Sequence, residues 1–159
     1  MSADPHRLCL IELVVHGVPA PQGSKTKMPN GAMVEAGSST GRQKLGNWRN
    51  DVRAAAEKWR AENGGPALLD GPLAVDMHFH LPRPKARKHD VWVSTKPDLS
   101  KLARSTEDAL TGVIWRDDSL IVDCTLSKCY VLEGYPPGAD IFIYRPASYE
   151  PPKPRKKAA

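Results

Sequence analysis

The sequence predicts a single α+β domain in which a mixed β-sheet carries two helices on one face. Three observations lead to this prediction. Four short segments are either apolar and rich in β-branched residues or alternate with a period of two, as strands do. Two longer segments repeat their apolar residues at steps of three and four, as amphipathic helices do. The predicted order is strand, helix, strand, helix, strand, strand.

The first predicted strand and the segment after it differ sharply in composition. Residues 8–17 form an apolar run that ends in glycine, which predicts a buried strand. Residues 19–41 are rich in Gly, Pro and Ser, which predicts a long basic loop with room for a small hairpin. Loops of this length are usually functional or disordered.

The next two elements are predicted from their apolar periodicity. Residues 43–63 predict a helix that stops at Asn-Gly-Gly-Pro, and residues 73–81 alternate strictly, which predicts a half-exposed strand. The outer face of this strand carries His78 and His80, which we interpret as exposed strand residues rather than metal ligands. The apolar stripe of the helix comprises Leu45, Trp48, Val52, Ala55, Ala56 and Trp59.

The second half of the chain predicts a loop, a helix and two strands. Residues 82–97 predict a second basic loop, and residues 98–111 a helix that Gly112 ends. Residues 119–132 and 139–144 predict the last strands. The buried face of the helix comprises Leu99, Leu102, Ala103, Thr106, Ala109 and Leu110, and its polar side Lys101, Arg104, Ser105 and Asp108.

The size and composition of the chain exclude several classes of protein. Its 159 residues, 40% of them hydrophobic, suffice for one domain with a real core. No run of about 18 apolar residues predicts a membrane span, and the polar N-terminus lacks the apolar stretch of a secretory signal. The three cysteines are too few for a disulfide framework, which favours a reduced, cytoplasmic setting.

The net charge of +5 is unevenly distributed along the chain. The last nine residues hold four basic residues and no acid, so the remainder has a net charge of only +1. Within it, residues 22–49 and 82–96 each carry +4, beside a slightly acidic segment over residues 99–130. This pattern predicts a phosphate-binding surface around a metal site, with solvated loops as the alternative interpretation. The candidate DNA-binding residues are Lys25, Lys27, Arg42, Lys44, Arg83, Lys85, Arg87, Lys88 and Lys96.

Three carboxylates form the candidate metal site. Asp98 stands at the start of the second predicted helix, and Asp117 and Asp118 form a pair in a turn before a strand. Adjacent carboxylates repel each other, so the pair needs water or a cation nearby. If the turn folds back on the helix start, the three carboxylates meet and suit Mg²⁺ or Mn²⁺. Helix capping by Asp98 is the structural alternative.

These motifs together resemble a known nuclease family. The segments KPDLSKL at 96–102, DALTG at 108–112 and DDS at 117–119, the last leading into an Ile/Val strand, resemble the RusA family of Holliday junction resolvases. The segment PAPQGSK at 19–25 and the pair Trp-Arg at 48–49 look like the N-terminal part of its phage and prophage members. The resemblance covers roughly residues 12–144.

The resemblance implies a function and a set of site residues. It implies a homodimeric, Mg²⁺-dependent endonuclease (with Mn²⁺ as a substitute) that nicks four-way DNA junctions symmetrically in a bacterial or phage-infected cell. The nuclease domain would span residues 1–145, followed by a Pro- and Lys-rich tail, 146–159, which we expect to be disordered. The implied metal ligands are Asp98, Asp118 and the adjacent Asp117, and the implied basic residue, six positions after the first acid, is Arg104. Lys101 or Arg104, in the first turns of the helix, could stabilise charge on the phosphate as a catalytic residue, and an ordinary exposed helix cation is the alternative interpretation of each.

The sequence departs from the family pattern at one ligand position. The second acid of the family's Asp-x-Asp motif is Ser100 in this chain. Either the site is rebuilt, with Glu107 two helical turns further on as a replacement, or the protein binds junctions and cuts them poorly. The main alternative function is therefore a non-catalytic junction- or branched-DNA-binding protein of the same fold. A small basic RNA- or ribosome-associated protein is the alternative from a different class.

Overall fold

The computed structural model describes residues 7–23, 25–35, 37–147 and 149–150. Its main strands and helices follow the predicted order, and the first basic loop contains a two-stranded hairpin. The elements are β1 (Cys9–His16), β2 (Lys25–Lys27), β3 (Met33–Glu35), α1 (Ser39–Glu62), β4 (Leu73–Leu81), α2 (Leu99–Leu110), β5 (Ile121–Tyr130) and β6 (Gly138–Tyr144). A short 3₁₀ turn, Asp118–Leu120, comes directly before β5.

Four strands form the main sheet in the order β1-β6-β4-β5. β4 and β5 are parallel, whereas β6 runs antiparallel to both β1 and β4. The buried residues of α1 and α2 form one core cluster with the inward-facing residues of β1, β4 and β6. The predicted α+β fold, with two helices on a mixed sheet, is therefore confirmed.

β4 is a central strand, and its outer face is partly buried. β5 and β6 flank it on both sides, and they partly bury the two histidines. His78 Nδ1 lies 2.7 Å from Ser127 Oγ, and His80 lies 2.9 Å from Asp140 Oδ2 and 3.3 Å from Cys129 Sγ. Both histidines are therefore half-buried, as expected of a half-exposed strand, and the neighbouring strands supply their hydrogen-bond partners.

β1 is buried on one face only. Ile11, Leu13 and Val15 face the core, whereas Val14 on the opposite face is 54% exposed. The strand lies at the edge of the sheet and pairs with β6 alone among the described elements. The prediction of a buried strand therefore holds for one face, because the helices cover only that side of the sheet.

α1 begins earlier than its apolar periodicity predicts. Ser38 is the N-cap residue, and its side-chain oxygen accepts a hydrogen bond from the Gly41 backbone N–H at 3.1 Å. Trp48 is fully buried, and its Nε1 donates to Thr106 Oγ1 at 3.1 Å. The interpretation of Trp48 as a core residue is confirmed, and this bond joins α1 to α2.

α2 buries the predicted apolar face and one residue more. Asp98 is its N-cap residue by position but makes no side-chain cap hydrogen bond, so it does not act as a capping side chain. Ser105, predicted on the polar side, is fully buried, because its hydroxyl donates to the Ala20 carbonyl at 2.7 Å. That prediction is wrong for a physical reason: a buried hydroxyl is tolerated where it finds a backbone acceptor. Gly112, with φ of +81°, follows the helix as predicted.

Two further predictions concern the membrane and the C-terminal tail. None of the helices within the described ranges is both long enough and apolar enough to cross a membrane. Most of the predicted tail, residues 151–159, lies outside the described residues. Just before the tail, Arg145 donates to the Pro72 carbonyl at 3.0 Å, which ties the end of the domain to the start of β4.

Candidate active site and nucleic-acid interface

A cleft of about 740 Å³ lies between the two loops that the sequence marks as basic. Residues 18–23 form one wall, and residues of the 81–97 loop form the opposite wall, with the first turns of both helices between them. α2 holds the first wall in place, because the Gln22 backbone N–H donates to the Lys101 carbonyl at 3.0 Å and Ser105 bonds to Ala20. Segments that are distant in the sequence thus build one concave surface.

Among the described residues, four cationic side chains and one carboxylate line this cleft. They are Arg42, Lys44, Lys96, Lys101 and Asp98, and all five are exposed. A concave surface with such an excess of positive charge attracts a polyanion. The structure thus brings three of the predicted DNA-contacting cations together with two residues of the predicted catalytic set.

The remaining predicted DNA-contacting residues have different surroundings. The Arg83 guanidinium turns inward, donates to carbonyls of its own loop and lies 5.3 Å from the ring centre of Tyr130. Arg87 pairs with Asp90 at 3.0 Å. Arg83 therefore helps to shape the second basic loop, and its role in DNA binding stays a prediction. Lys27, Lys85 and Lys88 are exposed, and the Lys25 side chain lies outside what the structure describes.

Asp98 stands where the cleft meets α2. Its Oδ2 lies 3.4 Å from Lys101 Nζ, one turn further along the helix. The backbone before it is fixed by Lys128 of β5, whose ammonium donates to the carbonyls of Thr95 and Pro97 at 2.6 and 2.7 Å. A fixed backbone thus places an exposed carboxylate at the rim of the cationic cleft.

The two acids before β5 have different environments. Asp117 Oδ1 accepts a hydrogen bond from the Ser119 backbone N–H at 2.8 Å, and its bonds with Ser119 hold the pKa of Asp117 below its usual value. Asp118 begins the 3₁₀ turn and is exposed. Asp117 therefore caps the turn that carries Asp118, and the two side chains also share a hydrogen bond.

Glu107 shares the electrostatic environment of Asp118. Partial burial raises the pKa of Glu107 above its usual value, and the negative charges of Asp118 and Asp108 raise it further, while Arg104 acts against them. Glu107 and Asp118 are thus close enough for their charges to interact. Glu107 follows Asp98 by nine residues, which is about 13.5 Å along the helix axis. Asp118 therefore lies beside the second half of α2 and Asp98 at its start.

The described residues contain no group of three or more His, Cys, Asp or Glu side chains that could hold a metal ion. The structure therefore does not gather Asp98, Asp117 and Asp118 at one point. The donor chemistry beside α2 still fits Mg²⁺, which proteins usually hold by one or two carboxylates together with water and substrate phosphates. Glu107 and Asp118 are two carboxylates of this kind, and the repulsion between them adds to the effect of burial, which is the main cause of the raised pKa of Glu107.

Two parts of this site could not be read from the sequence. Gln22 lines the cleft and is only 8% exposed, although glutamine is ordinarily a surface residue. Ser105 anchors the loop that carries it. The sequence signal for Gln22 is the segment 19–25, which belongs to the family resemblance but has no role assigned to it. Ser105 has no such signal, because its residue type places it on the polar side of the helix.

Comparisons with known proteins place these features in a family. Residues 20–144 match the family model described as Endodeoxyribonuclease RusA. The chain is 29% identical over 132 residues to the uncharacterized protein YqaN of Bacillus subtilis (strain 168), which covers 76% of this chain and 87% of that protein. The crystal structure of the protein Atu1372 of unknown function from Agrobacterium tumefaciens aligns with a TM-score of 0.44 and 7% identity, over 90% of this chain and 77% of that one.

Proposed function

Because the chain belongs to the RusA endodeoxyribonuclease family, we propose that it is a Mg²⁺-dependent endonuclease that resolves four-way DNA junctions by two symmetric nicks. The matched region, residues 20–144, includes both helices, the acids beside α2 and nearly all of the cleft lining. Such an activity belongs to recombination, repair or the processing of phage DNA.

The observation that carries this proposal is the charge of the cleft. Arg42 and Lys44 approach from the start of α1 and Lys96 from the second basic loop, and they converge on Asp98 and Lys101. Contacts from such cations to phosphates determine affinity and position but do not read sequence. In this proposal the basic surface holds the arms of a branched DNA and presents a phosphodiester to α2.

The metal-binding role falls to three carboxylates around α2. Asp118 and Glu107 would hold one cation beside the second half of the helix, and Asp98 would hold a second one at the rim of the cleft. When bound, Mg²⁺ supplies a water of lowered pKa and polarises the scissile phosphate. Asp117 positions its neighbour Asp118 by capping the turn before β5 through its bond with Ser119.

Glu107 takes the place of the acid that the family pattern has at Ser100. The support for this assignment is the interaction of the Glu107 charge with that of Asp118. Ser100 is exposed in the first turn of α2 and carries only a neutral hydroxyl.

Two cations of α2 assist the same step. Lys101 and Arg104 lie about one turn apart, and both are exposed. They stabilise the negative charge that builds up on the phosphate during hydrolysis. Two copies of the chain act on one junction in this proposal, since a four-armed substrate cut on two strands suits a dimer with two-fold symmetry.

Nicking of a labelled four-way junction across a Mg²⁺ titration tests the proposal. We expect Asp98→Asn and Asp118→Asn each to lower the nicking rate by about 10²-fold or more, because the carboxamide keeps the shape but not the charge that binds the cation. Both variants should still bind the junction, which a gel-shift assay measures.

A control variant tests whether replacing any aspartate with asparagine lowers the nicking rate. Asp140→Asn makes the same change on the opposite face of the sheet, where Asp140 contacts His80 at 2.9 Å. This variant should nick at the wild-type rate. Nicking that persists in both Asp98→Asn and Asp118→Asn would contradict the assignment of the site.

A non-catalytic junction- or branched-DNA-binding protein is the second candidate. Ser100 in a ligand position of the family pattern favours it. The same titration separates the two functions, since tight junction binding without product at any Mg²⁺ or Mn²⁺ concentration would establish the second candidate.

A further inference from the structure

The interior of the cleft differs in chemistry from its rim. The walls are largely apolar, with contributions from Val18, Pro19, Pro21, Leu81, Pro82 and Val93. The volume of about 740 Å³ lies within the range of sites that enclose a small organic molecule. A surface that only tracked a phosphate backbone would not need apolar walls of this depth.

Gln22 supplies an unpaired polar group inside these walls. Its side chain is 8% exposed, and its Oε1 is buried without a hydrogen-bond partner among the residues that the structure describes. A buried acceptor left without a donor costs roughly 1–3 kcal/mol, so such groups are uncommon and usually bind water, an ion or a ligand. The backbone N–H of Gln22 donates to the Lys101 carbonyl at 3.0 Å, which anchors this residue in the wall of the cleft.

We propose that this cleft receives one unpaired nucleobase from the branch point of the DNA, with an N–H group of the base donating to Gln22 Oε1. This inference rests on the proposed function, because the base comes from the same bound junction. The flat faces of the base contact the proline- and valine-rich walls. The phosphates on either side of it meet Arg42, Lys44, Lys96 and Lys101 at the rim.

The three features of the cleft match the three parts of a nucleotide. An apolar slot suits the ring, an acceptor at its depth suits an exocyclic amino group, and a cationic rim suits the phosphates. Extrusion of a base costs least where its stacking is already weak, and in an open four-way junction each base pair at the exchange point stacks on a neighbour on one side only. Asp98 stands on the same rim, so the extruded nucleotide would lie beside the phosphodiester that α2 receives.

The test uses the full chain and junctions that differ at one base of the exchange point. With EDTA present to prevent cutting, 2-aminopurine at this position should become more fluorescent on binding, since its emission is quenched by stacking and recovers on extrusion. A junction with adenine should bind about tenfold more tightly than one with purine, which lacks only the amino group that donates to Gln22. Both measurements are titrations with the protein.

Variants of Gln22 test whether its acceptor oxygen is responsible for the tighter binding of the adenine junction. Gln22→Met keeps the length of the side chain but removes the acceptor, so the preference for adenine over purine should disappear. Gln22→Asn retracts the acceptor by one methylene and should lose the preference as well, which provides a second test if the methionine variant does not fold. The control is Gln43→Met, the same glutamine-to-methionine substitution at an exposed position of α1 outside the cleft. This variant should still bind the adenine junction more tightly than the purine junction.

The failure of this proposal differs from the failure of the proposed function. Tight junction binding with unchanged 2-aminopurine fluorescence would overturn the base pocket alone. Increased fluorescence with equal affinity for adenine and purine would also overturn it, since Gln22 would then have no part in recognition. Absence of binding to any junction would overturn both proposals.

Discussion

Cys124 has a thiol whose ionisation depends on the charge of the candidate metal site. It pairs with Val75 of β4, so its side chain lies on the helix side of the sheet. Partial burial of the thiol, followed by the negative charges of Glu107, Asp76 and Asp123, raises the pKa of Cys124 to about 11. Because alkylation requires the thiolate, this cysteine reacts slowly at pH 8.5, and any cation held beside Glu107 would increase its reactivity.

We therefore predict that Mg²⁺ accelerates the alkylation of Cys124. A cation held by Glu107 and Asp118 offsets part of the negative charge, lowers the pKa of the thiol and raises the thiolate fraction, which should increase the rate roughly twofold or more. The measurement is the rate of iodoacetamide labelling at pH 8.5, with EDTA or Mg²⁺ present, resolved by peptide mass spectrometry.

Cys9 and Glu107→Gln provide the controls for this prediction. The pKa of Cys9 is raised by burial and by Glu12, so its labelling rate should not respond to Mg²⁺. Glu107→Gln should label faster at Cys124 in EDTA, because one negative charge is gone, and should lose most of the response to Mg²⁺. An equal response at Cys9 and Cys124 would argue against a metal site beside Glu107.

At the scale of the elements, a fully buried side-chain hydrogen bond joins the two helices, beside the partly buried pair of Arg49 and Asp108 at 3.0 Å. Trp48 of α1 donates from Nε1 to Thr106 Oγ1 of α2 at 3.1 Å, and neither residue has any exposed surface. Thr106 in turn donates to the Leu102 carbonyl at 2.9 Å. The buried hydroxyl of Thr106 therefore both accepts and donates a hydrogen bond, and its bond with Trp48 fixes how the two helices pack against each other.

We predict that Thr106→Val destabilises the domain by about 1–3 kcal/mol, although it preserves the shape of the side chain. The variant leaves the Nε1 donor of Trp48 buried without an acceptor. The free energy of unfolding in urea measures the effect. Thr125→Val, the same change at an exposed position of β5, should alter stability by less than about 0.5 kcal/mol. Equal effects of the two variants would mean that the hydrogen bond to Trp48 contributes nothing.

Periodicity in the sequence predicts the elements but not every contact between them. The stripes of α1 and α2 and the alternation of β4 were sufficient to place the helices and the central strand. Ser105 was assigned to the wrong side because its residue type is polar, and only a tertiary contact with Ala20 makes its burial favourable. The start of α1 was missed because its first turn lies in a Gly- and Ser-rich segment, where capping by Ser38 determines the boundary.

The sequence indicates which residues could form the candidate site, but not how they are arranged in space. Asp98 and Asp118 are candidates by their types and spacing, whereas Glu107 is a candidate only because the family pattern has an acid at Ser100. Their arrangement along α2 could not be predicted, because it depends on where the turn before β5 meets the helix. The acceptor of Gln22 was equally inaccessible, since its burial results from walls that come from three separate segments.

At the scale of the whole molecule, the distribution of positive charge should determine DNA binding more than the net charge does. Apart from the last nine residues the chain has a net charge of only +1, yet four cations surround one cleft. DNA affinity should therefore depend on that cleft and not on the overall field of the domain.

We predict that Arg42→Gln and Lys44→Gln each lower the salt dependence of junction binding by about one unit of slope in log Kd against log salt concentration. Each removes one cation that displaces counterions from a phosphate. The measurement is a fluorescence-anisotropy titration at several salt concentrations. Lys58→Gln, on a part of α1 outside the cleft where Lys58 pairs with Glu62 at 3.9 Å, should leave the slope unchanged. A similar decrease in all three variants would contradict a localised binding surface.

The length of α2 determines the distance between Asp98 at its start and Glu107 in its second half. Its first turn meets the cleft at Asp98, and its second half meets Asp118 through Glu107, about 13.5 Å further along a rigid rod. That length corresponds to about four base-pair steps of 3.4 Å. The two cation sites of the proposed function would thus be separated by a fixed interval along the substrate, independent of the sequence of bases between them.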